Sequence, residues 1–364
     1  MGHPDIVNRT PFACEVLQTS DETASTVVVM VVKATFAIGR ELTLAEEQVP
    51  VNLGGEYWGE PDSSPYKFEP EAAFFKPATD VVLVGHAFPA RANATQVDVH
   101  LAVGSLSKSL CVFGDRQWEK GVVATAPARF ESIPLRYDRA YGGWDRSDPR
   151  EPVCDRRNPL GRGFRRKGAK FTAGSMLPNI EDPAHLLSSY DGPSVPAGFG
   201  FTHGDWEPRA ALSGTYDDAW LQRRSPWLPG DFQRRFFNAA SAGLIAPGYL
   251  RGDETVMAQG VRPDGARLLG RLPALNLPEC TFKRRTAPPI ATTTAFDTLI
   301  IDADAQQLLL LWRSCVVIPD GLQGVAAIEI DCANAPKVKP EPTAARGNVI
   351  PFRRRVPANQ GEAL

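Results

Sequence analysis

The sequence runs to 364 residues, 43% hydrophobic and 23% charged, with a formal net charge of -2. That is enough chain for one large or two ordinary domains with a substantial core, in the composition range of soluble globular proteins. A charge so near zero excludes a global field for nucleic acid or anionic membrane, although a local +4 from Lys337 onwards leaves -6 for the body.

Phe12 to Leu17 predicts a short strand and Thr26 to Ile38 a strong one, because Val27 to Val32 are mostly β-branched and continuously apolar. Such a run suits a strand covered on both faces. Residues 41–77 read as loop, punctuated by Gly54-Gly55, Pro61, Pro65, Pro70 and Pro77. Val81 to Phe88 predicts another buried strand. Val97, Val99, Leu101 and Val103 alternate with polar or small residues, the period of a half-buried strand. Gly104-Ser105 then predicts a two-residue hairpin turn into Leu106 to Phe113, with glycine taking the positive φ. Phe130 to Ile133 leads as one more strand into the centre.

Sixteen of the 32 prolines lie between Asp138 and Ile290, which leaves little room for long regular elements. Two short helices are expected there, Ala219 to Arg224 capped by Asp217-Asp218 and Phe232 to Phe237 capped by Asp231. Arg267 to Leu272 reads as a strand. Phe296 to Asp302 and Gln307 to Val317 predict a hairpin around Ala303-Asp304-Ala305, and Val325 to Ile330 the last strand. The predicted fold class is mainly β: sandwich-like antiparallel sheets with a long loop-rich central insertion carrying a few short helices. Residues 1–336 are expected to form a single large β-rich domain, its scaffold strands in 6–137 and 265–332 around a loop-rich centre, 138–264. A basic, Pro-rich tail over 337–364 is expected to be disordered.

Six scattered cysteines without CxxC, and a start lacking the regions of a signal peptide, point to free thiols in a cytoplasmic protein. No apolar run is long enough to span a bilayer. His3, His86, His100, His185 and His203 are dispersed, and no HxxxH, HExxH or GxSxG pattern occurs, so no metal, cofactor or catalytic residue is assigned. Gly161-Arg162-Gly163 lacks the third glycine and lysine of a phosphate loop, and reads as a solvated basic turn. The carboxylate pairs Glu181-Asp182, Asp217-Asp218 and Asp253-Glu254, with Trp206, Trp220 and Trp227 as sugar platforms, supply the alternative reading: a β-sandwich hydrolase acting on carbohydrate or cell wall. Against it stands an interaction surface. Trp, Tyr and Arg anchor protein interfaces, and the centre is dense in them. The protein-binding candidates are Arg139, Tyr141, Trp144, Arg209, Tyr216, Asp217, Trp220, Trp227, Asp231 and Phe232. Arg209 has a second expected role, an internal bidentate pair with Asp217.

Nine separated motifs occur in order: Lys76-Pro77-Ala78-Thr79-Asp80-Val81-Val82, Gly114-Asp115-Arg116-Gln117-Trp118, Arg139-Ala140-Tyr141-Gly142-Gly143, Asn158-Pro159-Leu160-Gly161-Arg162-Gly163, Leu177-Pro178-Asn179-Ile180-Glu181, Pro196-Ala197-Gly198-Phe199-Gly200, Gly214-Thr215-Tyr216-Asp217-Asp218-Ala219-Trp220, Leu228-Pro229-Gly230-Asp231-Phe232 and Asp297-Thr298. Together they resemble the bacterial domain of unknown function 2169 family, from about Ile6 to about Cys332. Tyr141 stands where that family has Phe, and Ala240-Ser241-Ala242-Gly243-Leu244 lacks its Ala-Pro and Asp-Gln pairs. The resemblance implies a non-enzymatic, cytoplasmic adaptor-chaperone of type VI secretion. Its expected partners are a toxin effector cargo and the secretion spike protein, with no direct nucleic acid or membrane contact.

Overall fold

The apolar run Val27 to Val32 lies in the middle of the largest sheet, and every one of its side chains is buried. The computed structural model describes residues 3–335 and 348–349. The tail expected to be disordered, 337–364, lies outside them except for 348–349, which pair in parallel with Leu17 and Gln18.

In chain order the strands of the three main sheets are β1 (Asp5–Asn8), β2 (Ala13–Ser20), β3 (Thr26–Ile38), β4 (Leu42–Leu44), β5 (Asp80–Val84), β6 (Gln96–Val103), β7 (Leu106–Phe113), β8 (Ile180–Glu181), β9 (Thr255–Gln259), β10 (Leu268–Arg271), β11 (Glu279–Arg284), β12 (Ile290–Thr293), β13 (Ala295–Asp302), β14 (Gln307–Val317) and β15 (Val325–Asp331). The largest sheet has the order β2-β3-β14-β13-β5, with β4 folded back on β3; the second is β8-β7-β6-β9-β10 and the third β1-β15-β11-β12. Two pairs among these fifteen strands run parallel, β5 with β13 and β1 with β15, besides that of 348–349 with β2. Apolar side chains of all three sheets join one core with Phe199, Trp206, Phe232 and Phe237 of the loop-rich centre. The fold is mainly β, as its sequence pattern implies. The centre supplies β8 and β9 to the second sheet and so shares its core.

The β3 run is continuous because both faces are covered, and its partner β14 pairs from Gln307↔Ala37 to Val317↔Val27. β6 shows the half-buried pattern, with Val99, Leu101 and Val103 inside. Gly104, at φ +56°, closes the hairpin to β7. The strand predicted over Val81 to Phe88 is broken, however. At Gly85 (φ +149°) an added Cβ would lie 3.1 Å from that of Ala303, and the chain leaves β5 there. His86–Ala87 then pairs with Ile133–Pro134 in a separate two-stranded sheet. The strand expected over Phe130 to Ile133 shrinks to that two-residue segment. β1, β4, β8, β9, β11 and β12 go beyond the predicted set. In β11 only Cys280 and Phe282 face the core, a short alternation hemmed in by prolines.

Several residues of the nine motifs bolt distant segments together. Asp80, at the start of β5, accepts hydrogen bonds from Lys76 Nζ (2.8 Å), Asn238 Nδ2 (2.9 Å) and the Ala239 amide (2.9 Å). Thr79 Oγ1 donates to Phe296 O (2.5 Å) and accepts from the Leu250 amide (2.9 Å). Arg313 pairs with Asp297 at 2.7 Å, and both are buried. Asn158 Nδ2 donates to the carbonyls of Tyr137 (2.7 Å) and Tyr141 (3.0 Å). Beside it, residues 141–142 and 162–163 pair so closely that a Cβ on Gly143 would sit 2.1 Å from Gly161 O. Glycine is required there for close approach and for its φ of +89°.

Candidate protein-docking site

The segment from Arg209 to Phe237 gathers Tyr216, Trp220 and Trp227, the last exposed and the other two half-buried. Its one α-helix, α1 (Asp218–Arg223), starts where the acid pair predicts. Asp217 has extended backbone, and its carboxylate accepts the Trp220 amide at 2.8 Å. A helix of six residues is not stable alone, so the surroundings hold it. Trp220 Nε1 donates to Trp227 O (2.8 Å), Arg224 Nε to Leu228 O (2.7 Å), and the other end of the Arg224 guanidinium to Glu22 O. The Tyr216 and Trp220 rings meet edge to face at 4.7 Å. Leu221 (62% exposed) and Trp227 (43% exposed) are left facing solvent on this mount. Removing the cap in Asp217→Ala is expected to cost about 1 kcal/mol. Amide exchange at Trp220 should then speed up about fivefold while the sheets keep their protection; unchanged exchange would deny the cap its role.

Asp231 does not cap the second predicted helix. Its two carboxylate oxygens accept the Thr215 amide (2.9 Å) and hydroxyl (2.7 Å), closing the base of the loop. These hydrogen bonds hold its pKa below the ordinary carboxylate value. The expected helix Phe232 to Phe237 is a 3-10 turn over Arg234–Phe237 with no side-chain cap.

Arg209 departs furthest from expectation. It is buried, ion-pairs with Glu69 and not with Asp217, and donates to Phe236 O (2.7 Å) and Thr202 O (2.5 Å). Burial pushes the Glu69 carboxyl up, against the pull of Arg209. Phe232 is also internal, packed against Phe236 and Phe237 at 5.6 and 5.4 Å. Neither residue can present itself to a partner from there.

Arg139, Tyr141 and Trp144 belong to a different loop cluster. Tyr141 is buried in a small satellite core with Trp118, Leu177, Leu187 and Tyr190. Arg139 is half-buried and reaches Asn179 Oδ1 (3.3 Å) and Asp115 (3.7 Å). Trp144 is exposed, with the Arg146 guanidinium 5.6 Å from its ring. Of the ten candidates the structure therefore brings five together at one loop: Tyr216, Asp217, Trp220, Trp227 and Asp231. It adds Leu221, which follows Trp220 on a capped helix and was readable as an exposed apolar position.

The acid pairs have structural partners. Glu181 is buried, ion-paired with Arg116, and accepts the Leu187 amide at 2.5 Å. Asp182 accepts the Ala184 amide (2.8 Å). Asp253 pairs with Arg251 and Arg271, both at 3.2 Å, while Glu254 accepts the amides of Arg251 (2.8 Å) and Gly252 (2.9 Å). The backbone around Gly161-Arg162-Gly163 is taken up by its pairing with 141–142, and Arg162 Nε donates to Asp138 O (3.1 Å).

Among the described residues no helix is long and apolar enough to cross a membrane. Neither the curated proteins nor the solved structures contain a significant match to this chain. A family profile described as "Uncharacterized protein conserved in bacteria (DUF2169)" matches residues 23–313. That span covers most of the chain and all nine motifs, and the chain belongs to the DUF2169 family.

Proposed function

We propose that the protein is a cytoplasmic adaptor-chaperone that binds a toxin effector of type VI secretion and loads it onto the secretion spike. The observation that carries this reading is the aromatic loop: Leu221 projects from a helix fixed at its cap, its ring contacts and its far end, and Trp227 from the turn that follows it. An exposed Trp beside an exposed Leu on a rigid mount suits an interface anchor, because little side-chain entropy is lost on binding. The family resemblance supplies the identity of the partners. The body charge of -6 suits a basic cargo and would speed its encounter at low salt. The structural engagement of Glu181, Asp182, Asp217, Asp253 and Glu254 supports the adaptor over a carboxylate-based hydrolase.

Tyr216 and Trp220 hold the loop together, so their removal would confuse folding with binding. Leu221→Asp combined with Trp227→Ala alters only exposed side chains. Co-expressed with the toxin encoded beside it and passed through gel filtration, the parent chain is expected to co-elute with its cargo. The double variant should keep its melting temperature but bind roughly thirtyfold more weakly, the loss of about 2 kcal/mol expected for one anchor. Co-elution of the double variant at the parental level would move the docking surface elsewhere on the molecule.

A further inference from the structure

A cavity of about 490 Å³ opens between the Val195-Pro196 segment, Leu212 and the Ala240–Ala246 segment. Its wall is mainly apolar, including Val195, Leu212 and Ile245, and its volume suits a small organic ligand. The polar residues that interrupt that wall include Tyr137, Thr202 and Ser241, which carry hydroxyls, and the charged Arg157, Glu207 and Arg235. Lys108 of β7 approaches from the sheet behind them and places Nζ 2.6 Å from Ser241 Oγ and 2.7 Å from Ala242 O. Amine and hydroxyl thus meet at a residue that lines the mainly apolar cavity.

We propose that Ser241 is a nucleophile, with Lys108 as its base, and that the cavity takes esters carrying an apolar acyl chain. A serine hydroxyl is a weak nucleophile unless a base within hydrogen-bond reach removes its proton. Lys108 fits that role because burial lowers its pKa to about 8, opposed only by the more distant Asp182. Near neutral pH a fraction of it is free amine, able to accept from the Ser241 hydroxyl. Ser241 Oγ then attacks the ester carbonyl carbon as its proton passes to Lys108 Nζ. The bond from that carbon to the alcohol oxygen breaks, and the departing alkoxide takes the proton back from Lys108. One ester and one serine give one acyl-serine and one alcohol, and water releases the acid by the same route. Burial holds the Tyr137 phenol protonated, with its pKa pushed up to about 12, so it stays a neutral residue of the cavity wall throughout.

The test uses the full chain and an alkyl fluorophosphonate, with the adduct located by mass spectrometry after digestion. The expected adduct is on Ser241, and its rate of formation rises with pH to a plateau above about 8. Ser241→Ala should abolish it, and Lys108→Gln should slow it at least tenfold at pH 7.5 without changing the melting temperature. If either variant fails to fold, the adduct position and the pH plateau of the parent chain decide the matter alone. A lysine and serine that merely fasten the loop to the sheet predict no adduct at Ser241. That result, an adduct on Lys108 instead, or an unchanged rate in folded Lys108→Gln would overturn the proposal.

Discussion

Replacing Asp80 by alanine is expected to lower the free energy of unfolding by about 4 kcal/mol, among the largest effects of any single substitution in this chain. Asp80 is wholly buried, and three donors converge on it: Lys76 Nζ, Asn238 Nδ2 and the Ala239 amide. Without the carboxylate, Lys76 is left in the interior with one side-chain hydrogen bond, to Thr298 Oγ1 at 3.1 Å, and the Glu69 carboxyl as its remaining acidic neighbour. Removing one partner of a buried pair is costly because the other keeps its full desolvation penalty. The bolt also joins the sheet to the centre, since Asn238 and Ala239 lead into the Ser241 segment. Chemical denaturation at pH 7 gives the number. Adding Lys76→Met to Asp80→Ala should recover 1 to 2 kcal/mol, roughly the part of the loss that belongs to the unpaired charge. A loss below about 1 kcal/mol in Asp80→Ala would mean that water or a shifted side chain replaces the carboxylate.

The main strands were legible because their cause is local. Thr26 to Ile38 and Gln307 to Val317 show their boundaries in the sequence, since a β-branched or leucine-rich run covered on both faces has no alternative use. Asp217 was legible as a cap for the same reason: its acceptor meets an amide three residues on. Asp231 carries the same chemistry but spends it on Thr215, earlier in the chain, and no local rule chooses between the two. Arg209 finds Glu69 across the fold, past the much nearer Asp217. Tyr141 and Phe232 share the limit. An aromatic among glycines and prolines looks alike whether it faces a partner or fills a core, and burial is decided by segments far off in sequence. The Lys108–Ser241 contact was invisible for that reason, as neither residue stands in a motif that names the other.

Acidification should weaken the protein through His203 by on the order of 3 kcal/mol between pH 6.5 and pH 4. The imidazole is stacked between Tyr66, at 4.3 Å, and Trp206, at 4.6 Å, with Tyr57 at 5.9 Å. Its Nε2 accepts the Tyr66 amide at 3.1 Å, which fixes the neutral tautomer with the proton on Nδ1. Burial lowers its pKa from 6.5 to about 4; Asp205 opposes that shift, and the Arg209 cation adds to it. Above pH 6.5 the ring is neutral in both states, so its contribution is complete there. As pH falls below 6.5 the unfolded chain takes up a proton that the folded chain refuses until about pH 4, and stability drains away over that window, then levels off. Carboxylates titrate nearby, so the comparison must be made against His203→Gln, which keeps an acceptor for Tyr66 and loses the titration. At pH 7 the variant should be the less stable protein, for want of the stacked ring. By pH 4 the gap should have closed by about 3 kcal/mol, enough to bring the two chains level or reverse their order. Parallel stability curves for the two proteins from pH 7 to 4 would show instead that the cage opens and lets the proton in at little cost.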